Sequence, residues 1–133
     1  MEFIDVAIIG GGPGGLTAAN TVARQRHTAV VFDSKSYRNA GSAHMHMVLT
    51  WDHKSPEDYR NAARKNILDN YSSIQFADVA VAEISKESDS HFKVRDANGK
   101  GWNARKVILA VGSANTYPNI DGYDELWKKR MYV

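Results

Sequence analysis

The 133-residue chain contains no cysteine. It therefore forms no disulfide, offers no thiolate to a metal and runs no thiol chemistry by itself. No apolar run approaches the ~18 residues of a membrane-spanning helix. Positive charge is not concentrated. Arg24, Arg26, Lys35, Arg38, Lys54, Arg60, Arg64 and Lys65 are dispersed, as are Lys86, Lys93, Arg95, Lys100, Arg105 and Lys106, and the net charge is only +2. A nucleic-acid face would want a clustered stripe, so none is expected. The opening MEFID carries acid where a secretory signal wants base, which makes a cytoplasmic location the expectation. What is present, 43% hydrophobic and 24% charged residues, reads as a globular chain rather than a disordered one. The length suits one core and is short for two full domains.

The residue pattern alternates strand and helix. FIDVAII (residues 3 to 9) is short, apolar and rich in β-branched residues, as in a buried parallel strand. LTAANTVARQR (16 to 26) has apolar residues at helical spacing, with arginines at the end that the helix dipole favours. TAVVFD (28 to 33) predicts a second buried strand, completing a strand–helix–strand unit. Residues 34–54 have no clean period and predict a long ordered loop, uncommon in a compact domain unless it does something. SPED (55 to 58) predicts a helix start with Ser55 as cap, running to about Tyr71. Further strands are expected at 74 to 76 and 79 to 84. A hairpin turning at Asn98-Gly99 should join 91–96 to the chain from Trp102 onward, with KVILAVG (106 to 112) as another buried strand. Leu126-Trp127 offers an apolar anchor before a basic tail.

Between the first strand and helix lies GGGPGG, residues 10 to 15. Each glycine inside an element costs about 0.5–1 kcal/mol relative to alanine, so five of them require a reason. The spacing Gly10-x-Gly12-x-x-Gly15, after a strand and opening a helix, fits a dinucleotide cradle. Gly10 permits the tight turn, Gly12 lets a diphosphate approach the backbone, and Gly15 lets the helix pack close to the strands. The N–H groups at the helix start would face the phosphates, and Pro13 costs no useful donor there. Asp33, at the end of the second strand, is placed to accept both ribose hydroxyls of an adenosine. Its charge would repel the extra phosphate of NADP, so FAD or NAD suits the site. Gly14 is surplus to the motif and has no assigned purpose.

His44, His46 and His53 show no diagnostic ligand spacing, even with Asp52 nearby, and no metal site is expected from them. Trp51 and Trp102 read as packing residues, Tyr59 and Tyr71 as helix-face core, and Arg24, Arg26 and the KKR at 128 to 130 as solvated.

Several segments together resemble one family: DVAIIGGGPGGLTAA (5 to 19), VFD (31 to 33), RNA (38 to 40), HMH (44 to 46), VLTWDH (48 to 53) and VILAVG (107 to 112). They resemble the thioredoxin-reductase-like flavoproteins, within them most of all the fungal and bacterial dithiol oxidases that make disulfide-bearing small metabolites. The resemblance spans nearly the whole chain. It implies an α/β fold, the N-terminal half of a Rossmann-like three-layer ββα FAD-binding domain with a parallel sheet and a β-meander. An NADPH-type domain, normally inserted between the two halves, and the returning FAD segment are expected to be absent, and with them the redox Cys-x-x-Cys.

By the same resemblance Gly10, Gly12, Pro13, Gly14 and Gly15 would serve the FAD diphosphate and Asp33 its ribose. Lys35 and the 38–46 loop, including Asn39 and His46, would follow the ribityl chain and flavin. Val79 would meet the adenine and Gly112 would close over the cofactor. Two positions depart from the family pattern. Met47 stands where an asparagine helps hold the flavin, and Val111 where a threonine is usual. The expectation is an FAD-binding portion without catalytic residues of its own, partnered by FAD and by a second copy or a chain supplying the missing domain. The alternatives are a non-catalytic nucleotide-binding remnant held by a protein partner and a small NAD-dependent enzyme using the histidines.

Overall fold

The structure is a computed structural model that describes residues 2–127. The KKR run, read from the sequence as solvated, lies outside the described residues. The elements are β1 (Phe3–Ile9), α1 (Pro13–Arg24), β2 (Ala29–Phe32), α2 (Pro56–Asn70), β3 (Ile74–Ala77), β4 (Val81–Ser88), β5 (His91–Asp96), β6 (Gly101–Leu109) and a one-turn α3 (Tyr123–Leu126). One six-stranded sheet runs in the order β3-β2-β1-β6-β5-β4. β1 pairs in parallel with β2 and β6, and β2 with β3, while β4, β5 and β6 form an antiparallel meander. This is a mostly parallel sheet with flanking helices, a Rossmann-like half-domain.

The continuous apolar runs of β1 and β2 follow from burial on both faces. Val6 and Ile8, with Ala29 and Val31, face one core, where α1 contributes Leu16, Ala19 and Ala23 and α2 contributes Ile67. Ala7 and Ile9, with Val30 and Phe32, face the other. There Val94 and Ala104 of the meander close over them, and the Trp102 ring meets Phe32 edge-on at 5.4 Å. Helices thus cover one face and the meander the other, as the expected three layers require.

α1 begins at Pro13, in the first turn as the glycine motif implied, because Pro13 has no N–H to lose at the first helical position and its fixed φ already suits the helix. Two local expectations are corrected. The stretch from Trp102 and the KVILAVG stretch form one strand, β6. Its first residues pair with β5, and from Asn103 onward it also runs beside β1. Its end is not buried, since Leu109 and Val111 are each 68% exposed. β4 continues to Ser88, so a β4–β5 hairpin precedes the one read from Asn98-Gly99.

Asp96 organises that second hairpin. Its Oδ1 accepts the N–H groups of Asn98 and Lys100, and its Oδ2 accepts the Trp102 indole N–H at 3.2 Å. Gly99 sits at φ +85, where a side chain would be strained. Burial pushes the Asp96 carboxyl up, but the hydrogen bonds from Trp102, Lys100 and Asn98 outweigh it and hold the group below its usual range. The stability this supplies is complete above about pH 4 and is lost as pH falls through the depressed value. Asp96→Asn should lower the melting temperature at pH 7 and flatten the acid limb of a melting-temperature-against-pH profile.

Candidate dinucleotide-binding site

The site is built where the C-terminal ends of β1, β2 and β6 meet the start of α1. The Gly10 N–H donates to the Phe32 carbonyl (2.8 Å), and the Ala110 N–H donates to the Ile9 carbonyl (2.8 Å), so three strand ends are tied together. Gly10 has φ +117, and a Cβ there would overlap the Ala110 carbonyl oxygen. A Cβ on Gly15 would overlap the Gly10 carbonyl oxygen and touch Ile8 at 3.6 Å, so the helix start rests directly on the end of β1. Gly12, by contrast, faces open space. It is the N-cap of α1, offers no side-chain cap, and is followed by no acid in the first turn. The amides of that turn are thus left for an outside acceptor, with the helix dipole favouring an anion.

Gly11, which the motif spacing skips, is also required. A Cβ there would fall on the Asp33 carboxyl group. Asp33 is 4% exposed and so lies pressed against the glycine loop. Its Oδ1 accepts the Lys35 N–H (2.9 Å), its Oδ2 accepts the Tyr37 hydroxyl (2.6 Å), and the Lys35 ammonium stands 3.5 Å from Oδ2. The strand-end acid therefore also organises its own loop, a role the glycine spacing does not reveal. A carboxylate has about four lone-pair positions, so acceptor capacity remains.

Two arginines of α2 brace this loop, and sequence reading gave neither a role. The Arg60 guanidinium lies over the Tyr37 ring at 3.8 Å and donates to Asn39 Oδ1 at 2.8 Å. Arg64 grips Asp78 with two bonds (2.6 and 3.2 Å), and Asp78 also takes the Lys35 ammonium at 3.2 Å. The Arg64 hydrogen bonds hold the Asp78 carboxyl below its ordinary range. Arg60 and Arg64 recur four apart on one helix face, a pattern visible in sequence only once the loop is known to lie against it. Between loop and helix lies a cleft of about 550 Å³ lined by Lys35, Tyr37, Asn39, Ser55 and Arg60 among others. A second cleft, on the meander beside Glu83, Lys93 and Trp102, shares no residue with the predicted site.

The remaining predicted residues are placed less centrally. Gly14 meets only the Ala110 Cβ at 3.9 Å, so nothing in the fold demands a glycine there. Gly112 has φ +67 with open space around it, a position glycine suits on backbone grounds. Val79 packs its side chain into the meander core, and its N–H goes to the Ala77 carbonyl. His46 lies with Asp52 and His53, and its Nδ1 is 3.6 Å from Asp52 Oδ1. Met47 and Leu49 on the same loop are 98% and 92% exposed. Trp51 packs edge-on against Tyr59 at 5.7 Å, and Tyr71 packs against the helix-side core, as read from the sequence.

A family model described as pyridine nucleotide-disulphide oxidoreductase matches residues 4–132. The chain belongs to the pyridine nucleotide-disulphide oxidoreductase family. The relatives it matches include several thioredoxin reductases. The chain is 50% identical to thioredoxin reductase aclD of Aspergillus oryzae, over 98% of this chain and 41% of that protein. It is 44% identical to thioredoxin reductase tcpT of Claviceps purpurea, with the same coverage. Its fold matches a putative thioredoxin reductase TrxB of Bacillus anthracis with a TM-score of 0.90 at 29% identity, over 95% of this chain and 42% of that one. An oxidoreductase of Agrobacterium tumefaciens matches at 0.90 and 33% identity, over 96% and 43%. The chain thus spans about 41% of the length of the curated relatives, an N-terminal portion. Family and fold imply a capacity for FAD, and the observed cradle fits a diphosphate: an open Gly12, an uncapped helix start and a buried acid beside them.

The geometry separates the glycines by role. Gly15→Ala should cost about 3 kcal/mol in a denaturant melt, the upper end of the usual overpacking range, because the overlap is with backbone that cannot yield. Gly14→Ala should be neutral or stabilising by up to ~1 kcal/mol, since the new methyl finds ordinary contact and the helix gains propensity. Burial, reinforced by the hydrogen bond to the Asp33 carboxylate, pushes the Tyr37 hydroxyl up to about 12. Its stabilisation is complete below about pH 10 and lost as pH rises towards 12. Tyr37→Phe should therefore be less stable than the parent at pH 8 and lose less stability across that alkaline window.

Proposed function

We propose that this chain is the FAD-binding portion of a thioredoxin-reductase-like disulfide oxidoreductase, one that binds cofactor without turning over a dithiol alone. The observation that carries the reading is the open N–H cradle at Gly12 set against the buried Asp33 carboxyl. The loop amides and the start of α1 would hold the diphosphate, and Asp33 would accept the ribose hydroxyls while its charge disfavours a 2′-phosphate. Tyr37 and Lys35 hold Asp33 in place, and Arg60 steadies Asn39 on the loop that would follow the ribityl chain. Gly112 and Val79 would border the cofactor at the ends of β6 and β3. When bound, FAD supplies reversible two-electron chemistry. Exchange with a disulfide needs an attacking thiolate, and the chain has no cysteine to provide one.

A second reading, a nucleotide-binding remnant held by a protein partner, draws support from exposed apolar side chains at the end of β6 and on the segment that follows it. Leu109, Val111 and Ile120 are each more than half exposed. A second copy of the chain or a chain carrying the domains of the longer relatives would cover them.

The two readings separate on cofactor binding. FAD titrated into the purified chain should show saturable quenching of flavin fluorescence, reversed by ADP-ribose. Gly12→Val should abolish the quenching while leaving the circular dichroism spectrum unchanged, because its side chain enters only open space. Unchanged FAD affinity in both Gly12→Val and Asp33→Ala would refute the assigned cradle. Binding of ADP-ribose without FAD would favour the remnant.

A further inference from the structure

The loop between β2 and α2 brings together three metal-ligating side chains, of which only His46 figures in the FAD reading. His46, Asp52 and His53 each offer one ligand atom, and these atoms all lie within 4.8 Å of one another. His46 Nδ1 is 3.6 Å from Asp52 Oδ1, and His53 Nε2 is 3.2 Å from Asp52 Oδ2. The two imidazoles meet edge to face, with centroids 4.8 Å apart. A tetrahedral zinc ion with bonds of about 2.0–2.1 Å separates its ligand atoms by about 3.3–3.4 Å. The two nitrogen–oxygen separations, each to a different oxygen of Asp52, lie on either side of that value, and with all three donors within 4.8 Å of one another a rotation of the carboxylate and the rings draws them onto one ion.

The backbone is already arranged for this. The Met45 N–H donates to the Lys54 carbonyl and the Met45 carbonyl accepts the His53 N–H, each at 2.8 Å, so the two arms of the loop are bonded across. That pairing sets His46 beside His53. The Met47 N–H donates to Asp52 Oδ1 at 2.9 Å, which aims the carboxylate and leaves its other lone pairs free. A ligating carboxylate is usually steadied by such an outer hydrogen bond.

We propose that His46, Asp52 and His53 form a binding site for a late first-row divalent cation of the zinc type. Two imidazoles and one carboxylate suit such an ion, whereas Ca²⁺ would want six or more oxygens and Mg²⁺ an oxygen octahedron. Three protein donors leave a fourth position for water or an external ligand. All three side chains are at least half exposed, so the ion enters and leaves freely. The site stands independently of the FAD reading, since no predicted cradle residue other than His46 takes part.

The test uses the tag-free 133-residue chain without flavin. Zn²⁺ titrated against a chromophoric chelator should reveal one equivalent bound, and Co²⁺ should give the intense visible bands of a tetrahedral site. His46→Ala and His53→Ala should each weaken Zn²⁺ binding by at least about tenfold, and His53→Gln should do the same. His27→Ala should leave it unchanged, because His27 faces the single carboxylate of Asp5 at 3.7 Å with no second imidazole in that pair. Circular dichroism melts without metal confirm that each variant is folded. No saturable binding by the parent, full binding by both His53 variants, or an equal loss in His27→Ala would overturn the site.

Discussion

The close approach of α1 to the end of β1 is the constraint on which the rest of this structure depends. At Gly15 the helix rests on the Gly10 carbonyl with no room for a methyl group, and at Gly10 the chain presses on Ala110 at the end of β6. These contacts bring three strand ends and one helix start to a single point. They also fix the direction of the helix dipole and leave its first amides uncapped. A larger residue at either position would lift the helix from the sheet, loosening the packing of Leu16, Ala19 and Ala23 on Val6 and Ile8. The fold and the anion-binding geometry therefore have one cause.

Asp33 is the second junction. It closes the gap left by Gly11 and anchors the Lys35 amide and the Tyr37 hydroxyl. Through Tyr37 and Asn39 the loop is passed to Arg60, and through Lys35 and Asp78 to Arg64. A buried carboxylate is costly unless satisfied, so the loop after β2 is ordered by the need to satisfy it. That order carries the chain across about twenty residues of irregular structure to the cap at Ser55, whose hydroxyl oxygen accepts from the Glu57 and Asp58 amides.

The core elements were legible because their signals are local. β1 and β2 declare themselves by short β-branched runs, α1 by its 3.6-residue period, and α2 by Ser55-Pro56. The phosphate cradle was legible for the same reason, since Gly10, Gly12 and Gly15 serve one continuous turn. Where reading fell short, two distant segments share one job. β6 pairs antiparallel with β5 at its start and parallel with β1 along most of its length. No run of residues announces that change of partner, so the strand read as two. Likewise Gly11 matters only because Asp33 folds against it, and Arg60 only because Tyr37 lies beneath it.

By itself, then, the sequence determined the family, the strand–helix–strand unit and the lack of any thiol. Each of these rests on residue identity at fixed spacing. Only the tertiary structure decided that Asp33 is shared between the glycine loop and Tyr37, that α2 braces the loop, and that His46, Asp52 and His53 converge. The reason is physical. Backbone period and turn chemistry act over a few residues and are written in order along the chain. Which side chains meet across a loop is decided by the packing of helices and meander on the sheet, which spacing along the chain does not encode.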